Sequence, residues 1–237
     1  MPIAAAAALT ATACVLIIGC MPHTHRHETR EENRSIELGK VEMVRTLVEM
    51  KAGELKIRGG ADGLLDASLR YDERAKPEIR YDASGFRGDL TVRQPHVSFN
   101  IGSSDSPNNW DLRLNDDVPM DLEVRVGAGK SVLELGSLYL RSLEVHLGAG
   151  EINLDLTGKW RKSREARIRG GVGKAVVRLP KDVGIEARAR GGIGSIRVSG
   201  LERSGDLYTN EPAVKSPVTL RLDIEGGIGE IRLEAQD

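Results

Sequence analysis

The chain has 237 residues, 40% hydrophobic and 29% charged, with a formal net charge of −1. That balance lacks the basic surplus needed to neutralise phosphate, so nucleic acid is excluded as a partner. Only 3% of residues are aromatic, which leaves Val, Ile, Leu and Ala to fill a narrow, layered β interior and speaks against a pocket shaped to grip a cofactor.

Residues 3–19 run from an Ala-rich into a Val/Leu/Ile-rich stretch and end Ile17-Ile18-Gly19-Cys20. The stretch is short for a membrane-spanning helix and reads as the apolar core of a signal peptide, over residues 1–19. Its end resembles the bacterial lipoprotein signal. That resemblance implies cleavage between Gly19 and Cys20 and lipid on Cys20, although no Lys or Arg precedes the apolar core. Cys14 would leave with the signal, so the mature chain keeps no free thiol and no disulfide. Residues 20–35 are polar and without hydrophobic period, and are expected to be a tether. His23, His25 and His27 alternate within it, as spacer residues lacking the neighbours that fix a metal ligand. Met21 stands where an acidic residue retains some lipoproteins at the inner membrane. The expected location is therefore the cell envelope outside the cytoplasm, at the periplasmic face of an outer membrane or the cell surface.

Residues 36–101 read as a first β domain. Short strands at 64–71, 77–82, 88–93 and 96–101 are separated by Asp-Gly, Asp-Glu-Arg, Gly-Phe-Arg-Gly and Gln-Pro turns, the pattern of a meander. The loop-like segment 102–109 marks a boundary, and residues 109–237 form the second region.

Six units share one signature. Hydrophobic alternation runs to Gly53, Gly129, Gly150, Gly173, Gly194 or Gly229, breaks phase there and resumes two positions later. Val145, Leu147 and Ala149 precede Gly150, and Ile152, Leu154 and Leu156 follow it. Ile224, Gly226 and Ile228 precede Gly229, and Ile231, Leu233 and Ala235 follow it. A one-residue slip turns a strand's buried face outward unless the backbone makes a corner, and glycine adopts the positive φ this needs. The spacings 129–150, 150–173 and 173–194 are near-regular, which predicts a β-solenoid stacked in chain order. The insertion 201–217 is expected to project from the stack. The last unit, ending at Asp237, is expected to leave an open strand edge for a partner.

Catalytic groups do not converge in the sequence. His146 lies between Val145 and Leu147 and points outward, and His96 starts a strand. No thiol nucleophile survives processing. The Gly-x-Gly units lead into strands, whereas phosphate-binding loops lead into helices. Asp111, Asp116, Asp117, Asp121 and Glu123 are the candidate acids for a polysaccharide-cleaving solenoid. Asn115-Asp116-Asp117 reads as a turn, and Asp111 and Asp121 as outward strand positions. Arg125, Arg178, Arg188, Arg197 and Arg232 read as parts of a mixed-sign solvated face. Neither a metal site nor an enzyme is expected.

The run Met50-Lys-Ala-Gly-Glu-Leu-Lys-Ile-Arg-Gly-Gly-Ala-Asp-Gly-Leu-Leu65, with Gly88-Asp-Leu-Thr-Val-Arg-Gln-Pro95, resembles the N-terminal toastrack domain. Asn109-Trp-Asp-Leu-Arg-Leu114 and Val118-Pro-Met-Asp-Leu-Glu-Val-Arg-Val-Gly-Ala-Gly129 resemble the repeating toastrack part. The resemblance implies a bacterial cell-envelope protein with no catalytic residues to carry over. The expected fold is all-β: a right-handed β-helix or β-roll-like solenoid of glycine-cornered units after a short-strand meander. The expected function is a lipid-anchored, non-enzymatic binding or scaffolding module for envelope sensing or adhesion. Its partners would be the membrane, through Cys20, and another envelope protein or a cell-wall glycan. The alternative is a polysaccharide-binding or polysaccharide-cleaving β-helix protein.

Overall fold

A computed structural model, which describes residues 28–95, 108–214 and 216–236, contains thirteen strands among them. They are β1 (Thr29–Ile36), β2 (Met43–Gly59), β3 (Leu65–Asp72), β4 (Glu78–Ser84), β5 (Arg87–Arg93), β6 (Asn109–Leu114) and β7 (Met120–Glu134). After them come β8 (Leu140–Asp155), β9 (Arg164–Pro180), β10 (Gly184–Ser199), β11 (Glu202–Ser204), β12 (Leu207–Thr209) and β13 (Thr219–Gln236). Gly19, Cys20, the three tether histidines and His96 lie outside the described residues.

All thirteen join one sheet whose spine is parallel, in the order β2, β7, β8, β9, β13, β10. Each spine strand is a rung with two arms. The glycine at the bend pairs with the glycine of the next rung, from Gly53 through Gly129, Gly150, Gly173 and Gly229 to Gly194. Their φ values lie between 127° and 143°. The missing side chain matters as much as φ: a Cβ on Gly150 would strike the carbonyl oxygen of Gly129, and a Cβ on Gly229 that of Gly173. Rungs about 4.8 Å apart leave no room for one at the bend. The core is the aliphatic stack between the arms, including Val145, Leu154, Val177, Ile185 and Leu233, each fully buried.

The first rung is split. β5 lies parallel to the first arm of β2 and β6 to the second. Where other rungs have a glycine bend, two amides close this one. Gln94 Oε1 accepts from the Lys51 and Ala52 amides at 2.8 and 3.2 Å. Asn108 donates its side-chain N–H to the Ala52 carbonyl, and its backbone carbonyl accepts from the Glu54 amide at 2.9 Å. The expected boundary at 102–109 thus falls between two strands that share one partner.

Three expectations change. The last unit is not the end of the stack: β13 sits between β9 and β10. The outward charges account for this. Glu165, Arg167 and Arg169 of β9 face Arg221, Asp223 and Glu225 of β13, which in turn face Glu186, Arg188 and Arg190 of β10. Stacking in chain order would set Glu on Glu and Arg on Arg in all three columns, and like charges side by side are destabilising. The insertion likewise does not simply project. Its β12 pairs antiparallel with Glu186–Arg188 of β10 and covers part of that edge.

The third change concerns the tether, whose residues 29–35 belong to β1, antiparallel to β3. This edge strand has one apolar residue, Ile36, which packs against the core, so it shows no hydrophobic period, and its charges suit an edge. Glu32 fastens it: Tyr71 Oη donates to its carboxylate at 2.6 Å, and Arg34 and Lys76 lie at 2.9 and 3.1 Å. The Tyr71 hydrogen bond, then Arg34 and Lys76, hold Glu32 down at about 2, against an ordinary 4.5. A depressed acid contributes stability that is whole above pH 4.5 and lost as pH falls through about 2. Burial, then Glu32, push Tyr71 up to about 12, so its share is lost only as pH rises from 10 through 12. Hydrogen exchange should therefore show β1 releasing from β3 on acidification in the lower window while β8 stays protected. Glu32→Gln should loosen β1 at neutral pH and flatten that dependence. Equal acid sensitivity in β1 and β8 would refute the assignment.

Candidate functional site

The three rungs at the β10 end carry a variation on the corner. Gly170-Gly171-Val172-Gly173, Gly226-Gly227-Ile228-Gly229 and Gly191-Gly192-Ile193-Gly194 have an aliphatic residue just before the bend, where earlier rungs have Ala52, Ala128 and Ala149. The alternation predicted this position to be inward. It is outward, because the chain has begun to turn: Val172, Ile228 and Ile193 are 52%, 51% and 72% exposed. Among the described residues only one other large hydrophobic side chain, Phe86, is comparably exposed. Val172, Ile228 and Ile193 are register neighbours, so they form one continuous stripe across three rungs.

Inside the same corner, side-chain volume is missing. Three residues before the bend stand Met50, Val126 and Leu147 in the early rungs and Gly170, Gly226 and Gly191 in the late ones. Ile231 fills the space at Gly226, but a Cβ on Gly170 would meet only the Glu225 carbonyl oxygen, at 3.9 Å. The result is an apolar cavity of about 140 Å³, ringed by Leu147, Ile152, Ile168, Ile224 and Ile231. Space of that size and lining admits an aliphatic group. Beside it, β12 covers only the first arm of β10. Among the described residues no strand pairs with the outer edge of Ile193–Ser199, so its backbone groups on that side are open to an incoming strand.

The outward faces of the arms of β9, β13 and β10 carry a set of ion pairs. Arg190 reaches Asp223 at 3.0 Å and Glu225 at 2.8 Å, Arg221 reaches Glu186 at 3.1 Å, and Arg178 reaches Glu234 at 3.9 Å. Arg232 bridges Glu230 at 2.9 Å, with Arg197 on the same carboxylate at 3.4 Å.

Four of the five candidate acids are held by neighbouring side chains. Asp111 is held by Nη2 and Nε of Arg58 at 3.1 and 3.2 Å, Asp116 by Ser137 at 2.7 Å, and Asp121 by Ser142 at 2.9 Å. Buried Asn115 accepts from the Asp117 and Val118 amides, which makes 115–118 a capped turn. Glu123, Glu144 and His146 do converge, with ligand atoms within 4.8 Å of one another. Arg125 already holds Glu123 and Arg169 lies 3.6 Å from Glu144, so two guanidinium groups offset the two carboxylates a cation would need.

Comparison with known proteins places this geometry. A family model described as the N-terminal domain of toast_rack, DUF2154, matches residues 25–178. No curated protein matches the chain by sequence. Among solved structures, a candidate cell adhesion protein from Clostridium sporogenes is similar at TM-score 0.83 and 28% identity, over 88% of this chain and 100% of its own. A candidate adhesin from Bacteroides fragilis shares 12% identity at TM-score 0.31, over 87% of this chain and 97% of its own.

Proposed function

The chain belongs to the toast_rack family, and from that premise we propose that it is a non-enzymatic adhesion module, held at the cell envelope by lipid on Cys20. It binds a partner polypeptide at the β10 end of its stack. One observation carries the reading: the aliphatic stripe Val172–Ile228–Ile193, the cavity beneath it and the unpaired arm of β10 coincide at one corner of the stack. A strand added to Ile193–Ser199 gains main-chain hydrogen bonds, and an aliphatic side chain on it can enter the cavity. The similarity to the Clostridium sporogenes protein supports adhesion as the role.

The test is attachment of cells displaying wild type, Ile193→Ser/Ile228→Ser or Cys20→Ala, with fractionation and the intact mass of the mature N-terminus. The double variant should stay anchored and folded yet lose most attachment. Cys20→Ala should lose both its lipid mass and its membrane association. Undiminished attachment by the anchored double variant would overturn the site, and an unmodified wild-type terminus would overturn the anchor.

A further inference from the structure

The connection from β8 to β9 holds Lys159-Trp160-Arg161-Lys162-Ser163-Arg164. Its tryptophan is an anchor: the indole N–H donates to the Leu156 carbonyl at 2.8 Å and the ring packs on the core. Arg164 donates to the Leu140 carbonyl at 2.8 Å, which fixes the other end. Lys159, Arg161 and Lys162 are thereby held outward and exposed, and none has an ion-pair or hydrogen-bond partner among the described residues. On a surface where most guanidinium groups lie against a carboxylate, three unpaired cations in four residues are a local concentration of positive charge.

The surroundings of this loop narrow the ligand. A cleft of about 560 Å³ is lined by the loop with Tyr139, Asp116 and Asp117. An adjoining one contains Lys162, Arg164 and Tyr139 again, with Arg141, Glu42 and Phe86. Phe86, at the turn between β4 and β5, is 63% exposed. Among the described residues it is the one large exposed hydrophobic outside the corner stripe. Asp116, Asp117 and Glu42 are the acids set against Lys159, Arg161, Lys162, Arg164 and Arg141, of which Arg141 also lies 3.8 Å from Asp121.

We propose that this face, built on Lys159, Arg161 and Lys162 with Phe86 beside them, docks on an anionic lipid bilayer surface. Basic side chains are drawn to negative headgroups, and an exposed aromatic ring gains by entering the interfacial layer. A soluble polyanion would account for the cations but not for the bare phenyl ring. This contact is independent of the strand-addition site and sits between different rungs.

The test is co-sedimentation of the full chain with vesicles of phosphatidylcholine alone or mixed with phosphatidylglycerol, and separately binding to soluble dextran sulfate. Residues 1–27 are common to all variants, so differences between variants read the loop. Wild type should prefer the anionic vesicles, and the preference should fall with salt. Lys159→Gln/Arg161→Gln/Lys162→Gln, with an unchanged melting temperature, should bind them roughly 100-fold more weakly. Phe86→Ser should weaken vesicle binding while leaving dextran sulfate untouched. Equal binding to both vesicle types, or no loss in the triple variant, overturns the proposal. Dextran sulfate binding as tight as vesicle binding, with Phe86→Ser neutral in both, reassigns the face to a soluble polyanion and overturns the membrane assignment.

Discussion

Gly150→Ala is expected to destabilise the protein by more than about 4 kcal/mol, a large share of the about 5–15 kcal/mol that holds a typical domain folded. Two costs add there. With φ at 127° the residue sits where a side chain is strained, worth about 1–3 kcal/mol. The new methyl also points at the Gly129 carbonyl oxygen, well inside the 3.0 Å that real Cβ contacts respect. That oxygen belongs to backbone that cannot swing away as a side chain would. Relief therefore requires opening β7 from β8, which breaks ladder hydrogen bonds on both arms. Two further variants separate the terms. Gly85 has φ 59° and nothing within 4 Å of its would-be Cβ, so Gly85→Ala shows strain alone, about 1–2 kcal/mol. Gly148 has no positive φ, but its would-be Cβ strikes the Gly127 carbonyl oxygen, so Gly148→Ala shows the collision alone. Urea midpoints should rank Gly85→Ala, Gly148→Ala and Gly150→Ala in rising order of damage. A Gly150→Ala midpoint level with that of Gly85→Ala would mean that the bend tolerates a side chain.

The sequence carried the rung but not the order of rungs. Period two with a one-residue slip is a local signal, and six repetitions of it define arms, bend and stacking together. The alternation at 145–156 corresponds to a buried face at Val145, Leu147, Ile152, Leu154 and Leu156. It misplaces Ala149 and Ile228, because a strand about to bend no longer alternates about the same axis. β1 was illegible for a different reason: an edge strand with Ile36 as its one apolar residue leaves no hydrophobic period. The strand order was readable in principle, since Glu165/Glu186, Arg167/Arg188 and Arg169/Arg190 are like pairs that β13 resolves. Reading it requires aligning three units on their glycines and comparing signs column by column, whereas charges taken one at a time look scattered. The G-G-x-G variants were equally visible as strings. Their meaning came only from the cavity, where the volume absent at Gly170 could be set against the volume displayed at Val172. The 159–164 loop is conspicuous only beside the ion-paired faces, which no linear reading supplies.

The charge columns make the position of β13 an experimental question. Ending the chain at Ser216 is expected to remove more than one rung, because β10 has only β13 and the short β12 as strand partners among the described residues. Without β13, β10 could dock only on β9, and that pairing meets three like-charged columns, each costing about 0.2–1 kcal/mol in place of a favourable pair. Hydrogen-exchange protection should vanish from β10 through β12 while β7 and β8 keep theirs. The same logic can be tested in the whole chain. Asp223→Arg/Glu225→Arg keeps every strand but sets one new guanidinium between Arg167 and Arg188 and the other between Arg169 and Arg190. Four like-charge contacts then replace the 2.8–3.5 Å pairs that Arg190 and Arg169 make now. The expected loss is about 2–3 kcal/mol at low ionic strength, shrinking as salt screens these exposed charges. Adding Arg188→Glu/Arg190→Glu should restore about half of it, since the β10 side becomes attractive again while the β9 side stays repulsive. If the double reversal melts like wild type at every salt concentration, the charges do not set the order of the rungs. The cause would then lie in the three-residue connection 181–183 and in core packing around Ile224.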